Sequence, residues 1–184
     1  ARAQALQKHG HWVGEVWNRR KNGEDFAEML TVSVVRDPAG AVLNYVALFT
    51  DITPLKKHQD ELEHIAHYDA LTGMPNRVLL ADRLQQAMLQ SQRRNSALAV
   101  AYLDLDGFKP VNDQHGHEVG DQLLVTLSQR MKASLRESDT LARIGGDEFV
   151  AVLIDLSTPT SAHPVLERMR LAAAQPFLID GLEL

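Results

Sequence analysis

In Arg143-Ile144-Gly145-Gly146-Asp147-Glu148-Phe149-Val150, two consecutive glycines and two carboxylates interrupt an otherwise apolar, β-type run. Residues Leu141–Ile144 and Phe149–Ile154 read as paired strands. A Gly-Gly connection between them predicts a tight hairpin, because such turns need positive φ, which glycine adopts without a Cβ penalty. Asp147 and Glu148 are then expected at an exposed tip. Glycines beside them are small enough to admit a phosphate, and an acidic pair there suits metal-assisted phosphoryl or nucleotidyl transfer. On these four residues alone, an ordinary solvated turn reads equally well.

A second acidic site shifts that balance. Ala97–Leu103 is a continuous apolar run, the pattern of a strand buried on both faces, and it ends in Asp104-Leu105-Asp106-Gly107-Phe108-Lys109. A carboxylate where a buried strand emerges is held rigidly. If the two acidic sites meet, Asp104 and Glu148 can coordinate hard cations, with Asp147 as a further ligand.

Composition removes several classes. The chain has 184 residues, 45% of them hydrophobic, enough for one large domain or two small ones. A net charge of −5 and a pI near 5.9 argue against a nucleic-acid polymer as partner, since the basic clusters Arg19-Arg20-Lys21 and Arg93-Arg94 are too short for a phosphate-binding surface. The absence of cysteine excludes disulfides and thiolate metal sites and fits a reducing cytoplasm. No apolar run approaches the ~20 residues of a membrane span, so no membrane segment is expected in this chain.

Read in order, residues 1–52 form a β-meander: a strand over Trp12–Arg20, an Asn-Gly turn at Lys21-Asn22-Gly23, a strand over Glu24–Arg36, a turn at Asp37-Pro38-Ala39-Gly40 and a strand over Ala41–Thr50. Trp12 and Trp17 are expected in core or interface packing. Thr53-Pro54 predicts a helix start, with Thr53 as N-cap, running to His67. Its Leu55, Leu62 and Ile65 suit either a short coiled coil or an amphipathic linker packed on its own neighbours. From residue 68, helices and strands alternate. Asn76 caps a helix to Gln92 with Val78, Leu80, Leu84, Ala87 and Met88 on one face. Asn112–Asp121 reads as a polar turn before a helix to Leu135 that buries Leu123, Leu124, Leu127 and Met131. Pro164–Ala174 is a third helix and Pro176–Leu184 begins a strand pair. This order predicts an α/β (α+β) sandwich, a mainly antiparallel sheet flanked by helices.

Gly145-Gly146-Asp147-Glu148-Phe149, Asp104-Leu105-Asp106-Gly107-Phe108-Lys109-Pro110-Val111-Asn112-Asp113 and Asp69-Ala70-Leu71-Thr72-Gly73-Met74-Pro75-Asn76-Arg77 together resemble a GGDEF-family diguanylate cyclase over residues 68–184. Gly14–Gly23 and Thr50-Asp51-Ile52-Thr53 resemble the C-terminal half of a PAS sensory domain, whose ligand is unknown. The resemblance implies a PAS part over residues 1–52, a signalling helix over 53–67 and a palm-like cyclase fold of the nucleotide-cyclase type. It further implies synthesis of cyclic di-GMP from two GTP by a homodimer, each domain holding one GTP. The metal, Mg²⁺ or Mn²⁺, falls to Asp104, the Leu105 backbone, Glu148 and Asp147. Phe108 and Lys109 face the triphosphate. Asn112 and Asp121 read the guanine edge as a buried pair, and Gly145 and Gly146 leave room for the nucleotide. Arg136 and Asp139 match an inhibitory site for the product. Family members continue through a further strand pair and a basic last helix, so the resemblance implies a C-terminally incomplete module taken from a longer protein, cytoplasmic in this portion. A catalytically silent GTP- or product-binding module ahead of an EAL phosphodiesterase domain is the alternative.

Overall fold

Gly10 ends the first element. A computed structural model describes residues 2–184, in which helix α1 (Arg2–His9) stops where Gly10 takes φ +72° and its N–H bonds the Leu6 carbonyl at 3.1 Å. This helix is not expected from the sequence, because Arg2–His9 is short and mostly polar, without a pronounced apolar face. Three antiparallel strands follow in spatial order β1-β2-β3: β1 (His11–Arg19), β2 (Asp25–Arg36) and β3 (Val42–Asp51). They match the expected strands to within a residue or two, with Trp17 opposite Ala27 and Leu30 opposite Phe49. The Trp12 ring lies over Gly14, where a Cβ would fall 2.6 Å from it, so that position admits no side chain without a shift. Trp17 stands 65% exposed on the sheet and is not part of the core of this unit.

Helix α2 (Thr53–His67) begins as expected, but its capping acceptor is Asp51, whose Oδ1 receives the Thr53 N–H at 2.9 Å. Thr53 is drawn away from capping: its hydroxyl oxygen accepts the Ala27 N–H at 3.0 Å, pinning the start of α2 to β2. Hydrogen bonding by Thr53, with Arg20 beside it, lowers the Asp51 carboxyl to about 2. A depressed folded-state value means the stabilisation is complete above the ordinary value of 3.8 and is lost as pH falls through about 2. Asp51→Asn is therefore expected to melt below the parent at neutral pH and with it near pH 2. A gap that persists in acid would mean that the charge of Asp51 is not what matters. Leu55, Leu62 and Ile65 are exposed and no α2 residue is buried, so the helix does not pack its stripe on its own neighbours.

The chain divides into a unit ending at Glu63 and a unit His64–Leu184. The second contains α3 (Arg77–Arg94), β4 (Ala97–Leu103), α4 (Phe108–His115), α5 (His117–Ala133), β5 (Thr140–Gly145), β6 (Glu148–Leu156), α6 (His163–Ala173) and a small hairpin, β7 (Leu178–Ile179) with β8 (Leu182–Glu183). Its main sheet is antiparallel in the order β4-β6-β5. α3 covers one face, with Leu80 and Ala87 against Ala142, Val150 and Val152. α5 covers the other, with Leu123, Leu124, Leu127 and Met131 against Leu141, Phe149 and Ala151. This is the flanked antiparallel sheet expected from the order of elements.

Three details differ. Val78 and Met88 are exposed on α3, where only Leu80 and Ala87 are buried and Leu84 packs beside them. β4 is not buried on both faces, since Val100 and Tyr102 are exposed on a strand with one neighbour. The turn expected over Asn112–Asp121 shrinks to Gly116: Asn112–His115 end helix α4 (Phe108–His115) and α5 begins at His117. Pro110 lies in the first turn of α4, where its missing N–H costs no helical bond, and Phe108 and Val111 pack one helical turn apart against the core. Gly116, at φ +86°, then separates α4 from α5.

Candidate active site

Antiparallel pairing of β4 with β6 sets the site. The last paired residues are Leu103 and Phe149, so the next step along each strand places Asp104 beside Glu148. Side chains alternate along a strand, which puts Tyr102, Asp104 and Glu148 on the face of the sheet shared by Val150. Asp104 is exposed and Glu148 half-buried. A hydrogen bond to Glu148, together with burial and the Glu148 charge, raises the Tyr102 hydroxyl above its ordinary value. Tyr102 was invisible as a site residue in a run that reads as pure strand. Its position two residues before Asp104 was the available signal.

The hairpin differs by one residue from the expected Gly-Gly connection. Gly145 pairs with Glu148, and the turn residues are Gly146, at φ +48°, and Asp147. Asp147 and Glu148 are half-buried rather than at an exposed tip. Among the described residues no three acidic or histidine side chains form a metal-holding group, so Asp147 does not join Asp104 and Glu148 in one cluster. Two carboxylates and a backbone carbonyl still fit Mg²⁺, which takes few protein carboxylates and completes its shell with water and substrate phosphate.

Arg143 braces this turn. Its Nε donates to the Gly146 carbonyl at 2.9 Å and its Nη1 bonds both Asp69 oxygens at 2.8 and 3.0 Å. The Arg143 N–H meets the Pro75 carbonyl at 3.0 Å, and Asp69 Oδ1 also accepts the Thr72 N–H and hydroxyl at 2.9 and 2.6 Å. Burial alone would raise the Asp69 carboxyl, yet the donors Thr72 and Arg143 hold it below the usual carboxylate range. Neither residue is marked as a site residue by its sequence neighbours. They stand 74 positions apart, beyond any local pattern.

Asn112 lies on α4 and Asp121 on α5, the two helices that meet at Gly116. They are not a buried pair: Asp121 is exposed and Asn112 half-buried, because Asp121 falls on the outer side of a helix whose Leu123 and Leu124 turn inward. Phe108 packs on the core and Lys109 is exposed. No side chain caps α4, so its first N–H groups are available to an anion. A cavity of about 530 Å³ opens beside this loop, lined largely by apolar residues such as Leu105, Leu123, Met131 and Met169. That lining does not suit a triphosphate.

Beyond α5, Asp139 accepts two backbone N–H groups: Oδ2 that of Arg136 at 3.2 Å and Oδ1 that of Ile154 at 3.2 Å. Arg136 is exposed and, with Arg83, Lys132 and Asp139, lines a cavity of about 440 Å³.

The family described as "Diguanylate cyclase, GGDEF domain" matches residues 66–184. The chain belongs to this family. It is 45% identical over 131 residues to the bifunctional diguanylate cyclase/cyclic di-GMP phosphodiesterase MucR of Pseudomonas aeruginosa, covering 71% of this chain and 19% of MucR. It is 42% identical over 120 residues to the cyclic di-GMP phosphodiesterase NbdA of the same organism, covering 65% of this chain and 15% of NbdA. A crystal structure of a sensory box/GGDEF family protein from Caulobacter crescentus superposes with a TM-score of 0.62 at 40% identity, over 64% of this chain and 76% of that one. The GGDEF region thus has the mixed α/β fold of its structural relatives. The chain spans a fifth or less of the length of MucR and of NbdA.

Proposed function

We propose that this GGDEF domain condenses two GTP into cyclic di-GMP with release of two pyrophosphates. The observation that carries the reading is the juxtaposition of Asp104 and Glu148 at neighbouring strand ends, next to the uncapped first turn of α4. Asp104, Glu148 and the Leu105 carbonyl would hold the divalent metal, with Asp147 contributing from the phosphate side. Bound there, Mg²⁺ or Mn²⁺ would lower the pKa of the ribose 3′-hydroxyl and offset charge on the transferring α-phosphoryl group. Gly145 and Gly146 leave the phosphates room, the amides of α4 and Lys109 receive the triphosphate, and Asn112 and Asp121 read guanine. Each domain binds one GTP, so both bonds form only when two domains face each other, a symmetric homodimer. The exposed Leu55, Leu62 and Ile65 stripe of α2 suits such pairing.

The part over residues 1–52, which holds the β1-β2-β3 meander, is read as the C-terminal part of a PAS domain and α2 as its signalling helix. The sensory box of the Caulobacter relative supports this architecture by analogy. A second reading is favoured by NbdA, a phosphodiesterase in name: a silent GGDEF module that binds GTP or product ahead of a phosphodiesterase domain. The full-length protein incubated with GTP and Mg²⁺, with nucleotides separated by chromatography, decides between them. Accumulating cyclic di-GMP supports the cyclase; GTP binding without product supports the silent module.

The cavity at Arg136 is read as a product-binding inhibitory site, where a guanidinium can donate paired bonds to guanine O6 and N7. Arg136→Ala is expected to leave initial turnover near the parent's while raising the product plateau. Progress curves that level off together, with GTP still abundant, would make Arg136 and Asp139 structural only.

A further inference from the structure

Gly120 lies inside α5 with no positive φ, so its backbone does not require glycine, and glycine is among the least favourable residues in a helix. The requirement is spatial. A Cβ at Gly120 would fall 1.9 Å from Asn112 Oδ1 and 2.9 Å from its Cγ. Asn112 thus lays its carboxamide directly on the backbone of α5. The junction that brings them together is held by the Gly116 N–H on the Asn112 carbonyl at 2.9 Å and the Gly120 N–H on the Gly116 carbonyl at 3.3 Å.

The Asn112 Oδ1 is buried and, among the described residues, has no hydrogen-bond partner. Turned onto α5, that oxygen is closed to a ligand, which leaves the amide Nδ2 as the end of the carboxamide that can meet a base. Guanine presents O6, an acceptor for that amide N–H. Adenine presents the N6 donor in that place, and with the oxygen held against α5 the amide cannot turn over to accept it.

We propose that Gly120 is a specificity-determining position, whose missing Cβ seats the Asn112 carboxamide against α5 in the pose that selects guanine over adenine. This rests on the guanine-reading assignment of Asn112 made above. Gly120 is a positioning residue: it acts through Asn112 and needs no contact with the base. The atom in collision is the far end of a flexible side chain, so an added methyl displaces Asn112 and leaves α5 in place, where alanine is the better helix former.

The test compares the parent chain, Gly120→Ala, Asn112→Ala and the double variant, with Mg²⁺-GTP and Mg²⁺-ATP affinities from calorimetry and melting curves without nucleotide. Gly120→Ala is expected to melt at or above the parent temperature, to bind GTP about tenfold or more weakly and to discriminate less against ATP. In the Asn112→Ala background, adding Gly120→Ala should change GTP affinity no further. Parent-like GTP affinity in Gly120→Ala, with Asn112→Ala weakened, overturns the inference and spares the guanine assignment. Parent-like affinity in Asn112→Ala overturns that assignment and this inference together. A lower melting temperature for Gly120→Ala also overturns it, because the methyl would then be straining the helix.

Discussion

Glu148→Gln in the full-length protein is expected to abolish cyclic di-GMP synthesis, with a loss of about 10³-fold or more, while the melting temperature without nucleotide barely moves. The substitution keeps the shape of a half-buried side chain at the start of β6 and removes the charge that a divalent ion needs. Metal stabilisation of a transferring phosphoryl group is worth several kcal/mol, and each ~1.4 kcal/mol is a factor of ten in rate. A parallel Asp104→Asn should fail in the same way, since Asp104 stands beside Glu148 at the neighbouring strand end. Near-normal synthesis by Glu148→Gln would remove Glu148 from the metal site. A variant that unfolds would instead make the charge structural.

Arg143→Ala is expected to produce the largest loss of stability, about 2–4 kcal/mol for the His64–Leu184 unit by urea denaturation. The Arg143 and Asp69 side chains are only 11% and 22% exposed, so removing one partner strands a partly buried carboxylate. The Gly146 carbonyl loses its donor at the same time. Arg143→Lys keeps a charge but not the fork that serves Asp69 and Gly146 together, and should fall between parent and alanine variant. The Asp69 carboxyl lies below its ordinary range, so its pairing stabilises above the unfolded value and the gain fades as pH falls through the lowered one. The gap between parent and Arg143→Ala should therefore narrow in acid. An unchanged urea midpoint at neutral pH would make the ion pair dispensable.

Local physics made much of this molecule legible in the sequence. Alternation and turn chemistry predicted β1, β2 and β3, Asn76 announced the start of α3 by accepting the Val78 and Leu79 N–H groups, and the leucine spacing of α5 named its buried face. Glycines flanking two carboxylates marked the hairpin, because backbone conformation and charge there are properties of neighbouring residues. Tertiary structure alone decided the rest. α4 forms because Phe108 and Val111 find a core to pack on, and Asp51 replaces Thr53 as the cap because Ala27 claims the Thr53 hydroxyl. The bond from Arg143 to Asp69 and the seat of Asn112 on Gly120 depend on distances between elements that no periodicity encodes. Sequence reports what each residue prefers among its neighbours in the chain, whereas burial and partnership depend on which distant surface arrives.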